Sequence, residues 1–190
     1  MNVFIAGPRA ISKLDKRVEE RLNNIYSMQM TVIVGDANGI DKAVQEYFFR
    51  LGYQNVFVYA SQGKARCNVG SWKVENVEVE KKLKGFDFYA AKDIKMAEEA
   101  DYGFMIWNGK SKGTLNNVIN LTNRNKKTLI YFTPGNEFYT IKSLTDIESI
   151  ISQCDEETKE LFIKLSHISK STQLLKEETK NYKTEEQLLF

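Results

Sequence analysis

Short apolar runs alternate along this chain with stretches whose apolar residues recur every three to four positions, and that alternation admits few folds. Asn2 to Ala6, Met30 to Val34, Asn55 to Tyr59, Tyr102 to Trp107 and Thr128 to Phe132 read as buried strands. Leu14, Val18, Leu22 and Ile25 mark one helical face behind a Ser12 cap, and Ile40, Val44, Phe48 and Leu51 mark another that Gly52 stops. Lys92 to Ala100 and Thr114 to Asn123 read as two further helices. Strands that alternate with helices imply right-handed crossovers. The expected fold class is therefore α/β: a Rossmann-like, mostly parallel sheet with helices on both faces, plus C-terminal helices.

The period breaks over 60–88, a long excursion with a short strand around Val74 to Val79. A connection that long in a compact domain is usually functional or mobile. Beyond Gly135, Ser143 to Ser152 and Glu156 to Ser169 read as helices, and from Ser171 the chain is charged and polar until its closing Leu-Leu-Phe. The division expected is a Rossmann-like domain over 1–135 and a helical extension over 136–190.

Bulk properties narrow the function classes. A chain of 190 residues supports one well-buried domain, and a net charge of +2 sets up no global field that demands nucleic acid or an anionic membrane. Nucleic acid is accordingly not an expected partner, and no membrane is expected either, since no run approaches the roughly 18 apolar residues of a spanning helix. Cys67 and Cys154 have no paired spacing, and the start MNVFIAGPR lacks the basic region of a signal peptide. Free thiols and a cytoplasmic location follow as expectations. With His167 the lone histidine, no metal site and no cofactor are expected.

In an open α/β sheet, ligands bind outside the carboxyl ends of the strands. Every unusual turn of this sequence falls at such an end. After the first strand, Gly7 permits close backbone approach and Arg9 offers a planar fork for phosphate or carboxylate, although Gly-Pro also simply ends strands. After the second come Gly35, Asp36, Gly39 and Asp41; the glycines suit a tight turn into a helix whose free N–H groups face an anion. Asp41 either caps amides or binds a sugar hydroxyl. In the excursion, Lys64 and Arg66 supply cationic donors and Asn68 an amide, while Trp72 is either a lid over a base or core. After the fourth strand, Gly109, Ser111, Gly113 and Thr114 form a loop rich in donors that opens into a helix and suits a phosphate, with Lys110 and Lys112 adding charge. Trp107 either stacks on a base or closes the core beneath this loop. Lys92 and Asp93 open the third helix, where a carboxylate is favoured by the dipole.

Taken in order, AGPR, GDANGID, RCN and KGT resemble the pattern of the SLOG superfamily of Rossmann-like nucleotide-binding domains, which includes DprA-type and LOG-type proteins, and most of all its YspA-like branch. The resemblance covers roughly residues 1 to 133. It implies a nucleotide-like small molecule across the sheet's carboxyl edge, and it implies self-association. The opening IAGP and the run from Asp93 to Asp101 with its late Gly-Thr are also similar to nucleoside 2-deoxyribosyltransferases. In those enzymes and in LOG-type hydrolases a catalytic glutamate follows the glycine-threonine; here Asn117 holds that place. A neutral amide neither attacks a ribosyl cation nor takes its proton, but it hydrogen-bonds a sugar hydroxyl or a base edge. The expectation is a site that binds or senses a nucleotide-derived molecule without turnover, with no catalytic residue assigned. The alternative is an N-glycosidic hydrolase or transferase whose carboxylate has moved to Asp36, Asp93 or Asp101.

Overall fold

The computed structural model describes residues 1–79, 82 and 84–167. The charged tail expected from Ser171, and the end of the last helix, lie outside them. Seven strands form one sheet: β1 (Asn2–Ala6), β2 (Thr31–Gly35), β3 (Val56–Ser61), β4 (Lys73–Val77), β5 (Tyr102–Trp107), β6 (Thr128–Phe132) and β7 (Glu137–Ile141). Their order is β4-β3-β2-β1-β5-β6-β7, and every pairing is parallel except β6 with β7. The α/β, mostly parallel, Rossmann-like architecture is therefore as the alternation predicts.

Side-chain alternation along each strand divides the core between two faces. Val3 and Ile5 of β1 pack with Val32, Val34, Phe104 and Ile106 on the face covered by α1 (Lys16–Ser27) and α2 (Ile40–Arg50). Phe4 and Ala6, one residue out of phase, pack with Ile33, Met105 and Trp107 on the face covered by α3 (Gly85–Glu99) and α4 (Lys112–Thr122). Helix α5 (Leu144–Ile151) joins this second face through Ile147, Ile150 and Ile151. A sixth helix, α6, covers 156–167 and contributes Phe162.

Several boundaries differ from expectation, each for a local reason. Helix α1 is capped by Asp15, whose carboxylate accepts from the Arg17 amide at 2.8 Å, and not by Ser12. Leu51 is the cap residue of α2 and is exposed, so the buried face of that helix is Ile40, Val44 and Phe48. Helix α3 starts at Gly85 and not at Lys92, so Lys92 and Asp93 sit in its middle, away from any free amides. The strand β7, absent from the sequence reading, doubles back antiparallel on β6, so that residues 137–141 belong to the sheet.

The excursion is partly ordered by one buried side chain. Gln45 of α2, fully buried, donates to the Gly35 carbonyl at 2.9 Å and accepts from the Val69 amide at 2.9 Å. Trp72 is core, its Nε1 donating to the Tyr53 carbonyl at 2.8 Å, and the lid reading is corrected accordingly. Asn68 closes a loop on Trp72 through two bonds, accepting from its amide at 3.0 Å and donating to its carbonyl at 2.8 Å. The amide that sequence reading assigned to a ligand is thus committed to the chain.

Candidate functional site

The strand order reverses between β1 and β5: the chain leaves β1 toward β2 on one side and leaves β5 toward β6 on the other. Such a switch point opens a crevice at the carboxyl ends of its two strands. Here it is a hollow of about 570 Å3, lined by the turn after β1, the loop after β5 and the facing sides of α3 and α4. Of the residues singled out in the sequence, Gly7, Arg9, Asp41, Arg66, Asp93, Ser111, Gly113, Thr114 and Asn117 line it. The turns do converge.

Of the remaining six, all but Asn68 lie behind the hollow. Gly39 has φ +83°, and a Cβ there would lie 2.5 Å from the Arg9 backbone, so glycine lets the first two turns pack together. At Gly35 a Cβ would lie 2.4 Å from Asp41 Oδ2 and 2.9 Å from Lys92 Nζ. Asp36 is buried and takes both arms of Arg66, at 2.9 and 2.6 Å, together with the Arg66 amide at 3.1 Å. The Arg66 fork is therefore closed on a carboxylate of its own chain and is not free for a phosphate. Trp107 is fully buried; its Nε1 donates to the Ser111 carbonyl at 3.2 Å and its ring packs on Phe132, so it closes the core and stacks on no ligand. Gly109 donates its left-handed φ of +73° to the loop, and its carbonyl accepts from Thr158 Oγ1 of α6 at 2.8 Å. Asn68 stands apart, in the loop already described.

One wall is the start of α4. Asn108 Oδ1 accepts from the Lys110 and Ser111 amides at 3.1 and 2.9 Å and shapes the loop, and Ser111 caps the helix by accepting from the Thr114 amide. The Lys112 and Gly113 amides, in the first turn, have no acceptor within the helix. Gly113 has nothing within 4 Å of where a Cβ would stand. One turn further in, Asn117 is only 4% exposed, and its Oδ1 is buried without a hydrogen-bond partner. A buried acceptor left unpaired costs about 1–3 kcal/mol, so a donor, either an ordered water or a group of a ligand, is expected at this atom.

The opposite wall carries charge that sequence reading missed. Lys92 is 5% exposed and reaches Asp93 Oδ1 at 2.7 Å, beside Asp41. Burial alone would drive its proton off, but the Asp93 and Asp41 carboxylates outweigh that and hold its pKa above the ordinary lysine value. Burial pushes Asp41 up to about 6, against the pull of Lys92. Burial also favours neutral Asp36, yet the bonds and charge of Arg66 prevail and hold its carboxyl below the usual range. A lysine inside a pocket gives no sequence signal, since charged side chains at helical spacing read as a solvated face. Phe86, from the unpatterned excursion, and Tyr89, just beyond it, complete this wall.

The three candidate carboxylates for catalysis separate cleanly. Asp101 bonds the Asn2 amide at 2.7 Å, at the amino edge of the sheet, and Asp36 is held by Arg66 outside the hollow. Asp93 alone of the three faces the hollow, tied to Lys92.

No protein-family model and no curated protein matches the chain. Among solved structures it is similar to DNA processing protein A (DprA) from Helicobacter pylori, with a TM-score of 0.55 and 11% identity over 87% of this chain and 80% of that one. The two share a fold. That structure is described as giving insight into the single-stranded DNA binding mode of the Helicobacter protein. The expectation that nucleic acid is not a partner is corrected on this ground. The expectation had rested on a net charge of +2, and a sum over the chain says nothing of how charge is placed locally, as on Arg9 and Lys110 at the rim of the hollow. Among the described residues, no helix is long and apolar enough to cross a membrane.

Proposed function

We propose that the hollow binds a nucleotide-derived molecule, holding it without turnover, in the manner that the resemblance to the YspA-like branch of the SLOG superfamily suggests. The phosphate lies against the Lys112 and Gly113 amides with Ser111 and Thr114, and Arg9 neutralises it from the facing turn. The observation that carries this reading is the unpaired Oδ1 of Asn117, buried one turn further along the same helix. A sugar hydroxyl or an exocyclic amine supplies the donor it lacks, and an amide there gives recognition where a carboxylate would give chemistry.

Mass spectrometry of small molecules released from the purified protein, followed by calorimetry with a panel of nucleoside mono- and diphosphates, tests the reading. Binding without release of free base or ribose phosphate is expected. Turnover of any panel member, abolished by Asp93→Asn, would install the N-glycosidase alternative instead.

A second reading has one observation in its favour, the fold shared with a protein described as binding single-stranded DNA. On that reading the hollow takes one unit of a longer strand. Short single-stranded oligonucleotides belong in the same panel; affinity that climbs with strand length, and no affinity for mononucleotides, favours the strand.

A further inference from the structure

Two aromatic rings of the α3 wall carry cations. The Arg9 guanidinium lies 5.1 Å from the centroid of the Tyr89 ring, and Arg66 lies 4.6 Å from the same ring. Lys112 Nζ lies 4.0 Å from the ring of Phe86, one turn away. Arg66 stays where it is, because Asp36 holds both of its arms. Arg9 and Lys112 differ. Among the described residues neither pairs with a carboxylate, and both stand at the rim where the phosphate is placed. A cation resting on a half-buried ring at a pocket wall is held by about 1 kcal/mol, and a phosphate offers it more. Drawing Arg9 away frees the part of the Tyr89 ring that it occupies, and that ring lines the hollow.

We infer that Tyr89 is the platform on which the ligand's nucleobase stacks, so that the site selects a base-bearing nucleotide over a bare sugar phosphate. The inference rests on the reading that the hollow holds a nucleotide. Stacking on tyrosine tolerates any base, since every base has a π-face. Selection at this ring is therefore for the presence of a base, and the Asn117 acceptor is left to discriminate among sugars or base edges. Arg66, fixed by Asp36, stays 4.6 Å from the ring centroid when Arg9 leaves.

Calorimetry on the full chain with AMP and with ribose 5-phosphate separates the possibilities. The wild type should bind AMP about tenfold more tightly or better, given the typical strength of base–aromatic stacking. Tyr89→Leu should lose that margin while leaving ribose 5-phosphate binding unchanged, and Tyr89→Phe should retain it. Equal affinity of the wild type for both probes overturns the inference, even if Tyr89→Leu fails to fold. So does a Tyr89→Leu variant that weakens both probes alike, which makes Tyr89 only a wall. If the wild type binds neither probe nor any nucleotide of the panel, the reading of the hollow itself falls, and this inference with it.

Discussion

Arg66 and Asp36 close a two-armed ion pair behind the hollow, with Nε at 2.9 Å from Oδ2 and Nη2 at 2.6 Å from Oδ1. The pair joins the excursion to the end of β2, across a sequence gap that no periodicity bridges. Its energetics are lopsided: the Asp36 side chain is 4% exposed and that of Arg66 is 39% exposed. Removing the arginine strands a buried carboxylate, while removing the acid frees a cation that reaches water. Arg66→Ala should cost about 1–3 kcal/mol, less than a fully buried pair because solvent screens the arginine. Arg66→Lys should recover little, since an ammonium cannot hold both oxygens. Urea denaturation of the two variants measures this; a lysine variant as stable as the wild type would show that charge alone, not the fork, holds the turn.

The pH dependence of stability should carry the mark of Asp41. Its folded pKa of about 6 lies above the roughly 3.9 of an unfolded aspartate. Below about pH 4 both states are protonated. Between about 4 and 6 the folded protein keeps a proton that the unfolded chain has lost, so stability falls as pH rises through that window. Two pKa units correspond to about 3 kcal/mol as a limit. Asp36 runs the other way, its contribution present at neutral pH and lost as pH falls through its depressed folded pKa. Asp41→Asn removes the first effect and retains an acceptor for the Ala37 amide, which Asp41 binds at 3.2 Å. Its melting temperature should exceed that of the wild type by more at pH 7 than at pH 4.5. An equal difference at both values would place the Asp41 pKa outside the window.

Two glycines should separate fold from site. Gly35→Ala drives a methyl to 2.4 Å from the Asp41 carboxylate and 2.9 Å from Lys92, and should destabilise by about 1–3 kcal/mol. Gly113→Ala meets nothing within 4 Å and sits in a helix, where alanine is the better residue by up to about 1 kcal/mol. Its stability should hold or rise while nucleotide affinity drops, because the methyl projects toward the phosphate. Paired melting and calorimetry check both; loss of stability at Gly113→Ala would mean that the first turn of α4 is strained.

Much of this was legible in the sequence. Strands β5 and β6 have the bounds that their apolar runs predict, and the donor-rich loop does open a helix where Ser111 and Thr114 stand. The start of α3 was not legible, because Phe86 and Tyr89 face a hollow and not a core and so break the apolar period that marks a helix. Lys92 was hidden by its own type: buried lysines are rare, and only tertiary partners reveal one. Arg66 lines the hollow, but its fork is taken by Asp36, an acid thirty residues away in sequence that no local pattern pairs with it. The β7 hairpin did leave a signal, the Pro134-Gly135-Asn136 turn, which was read as an end and not as a reversal.

The helical extension should matter to the site. Thr158, 3% exposed, donates its hydroxyl to the Gly109 carbonyl at 2.8 Å, and so ties α6 to the loop that precedes α4. Thr158→Val leaves that carbonyl unpaired, at a cost of about 1–2 kcal/mol. Hydrogen exchange should quicken at the amides of Lys110 and Ser111 more than at the sheet. Uniform quickening across the domain would mean that the bond stabilises the whole fold and not the loop.

The central claim is that a phosphate is received by the first turn of α4. Amide nitrogen–proton spectra of the labelled protein, titrated with AMP, address it residue by residue. The account predicts that the largest shifts fall on the Lys112, Gly113 and Thr114 amides, with the Asn117 side-chain amide moving in step. Shifts confined to other surfaces, or none on those four groups at saturating nucleotide, would contradict it.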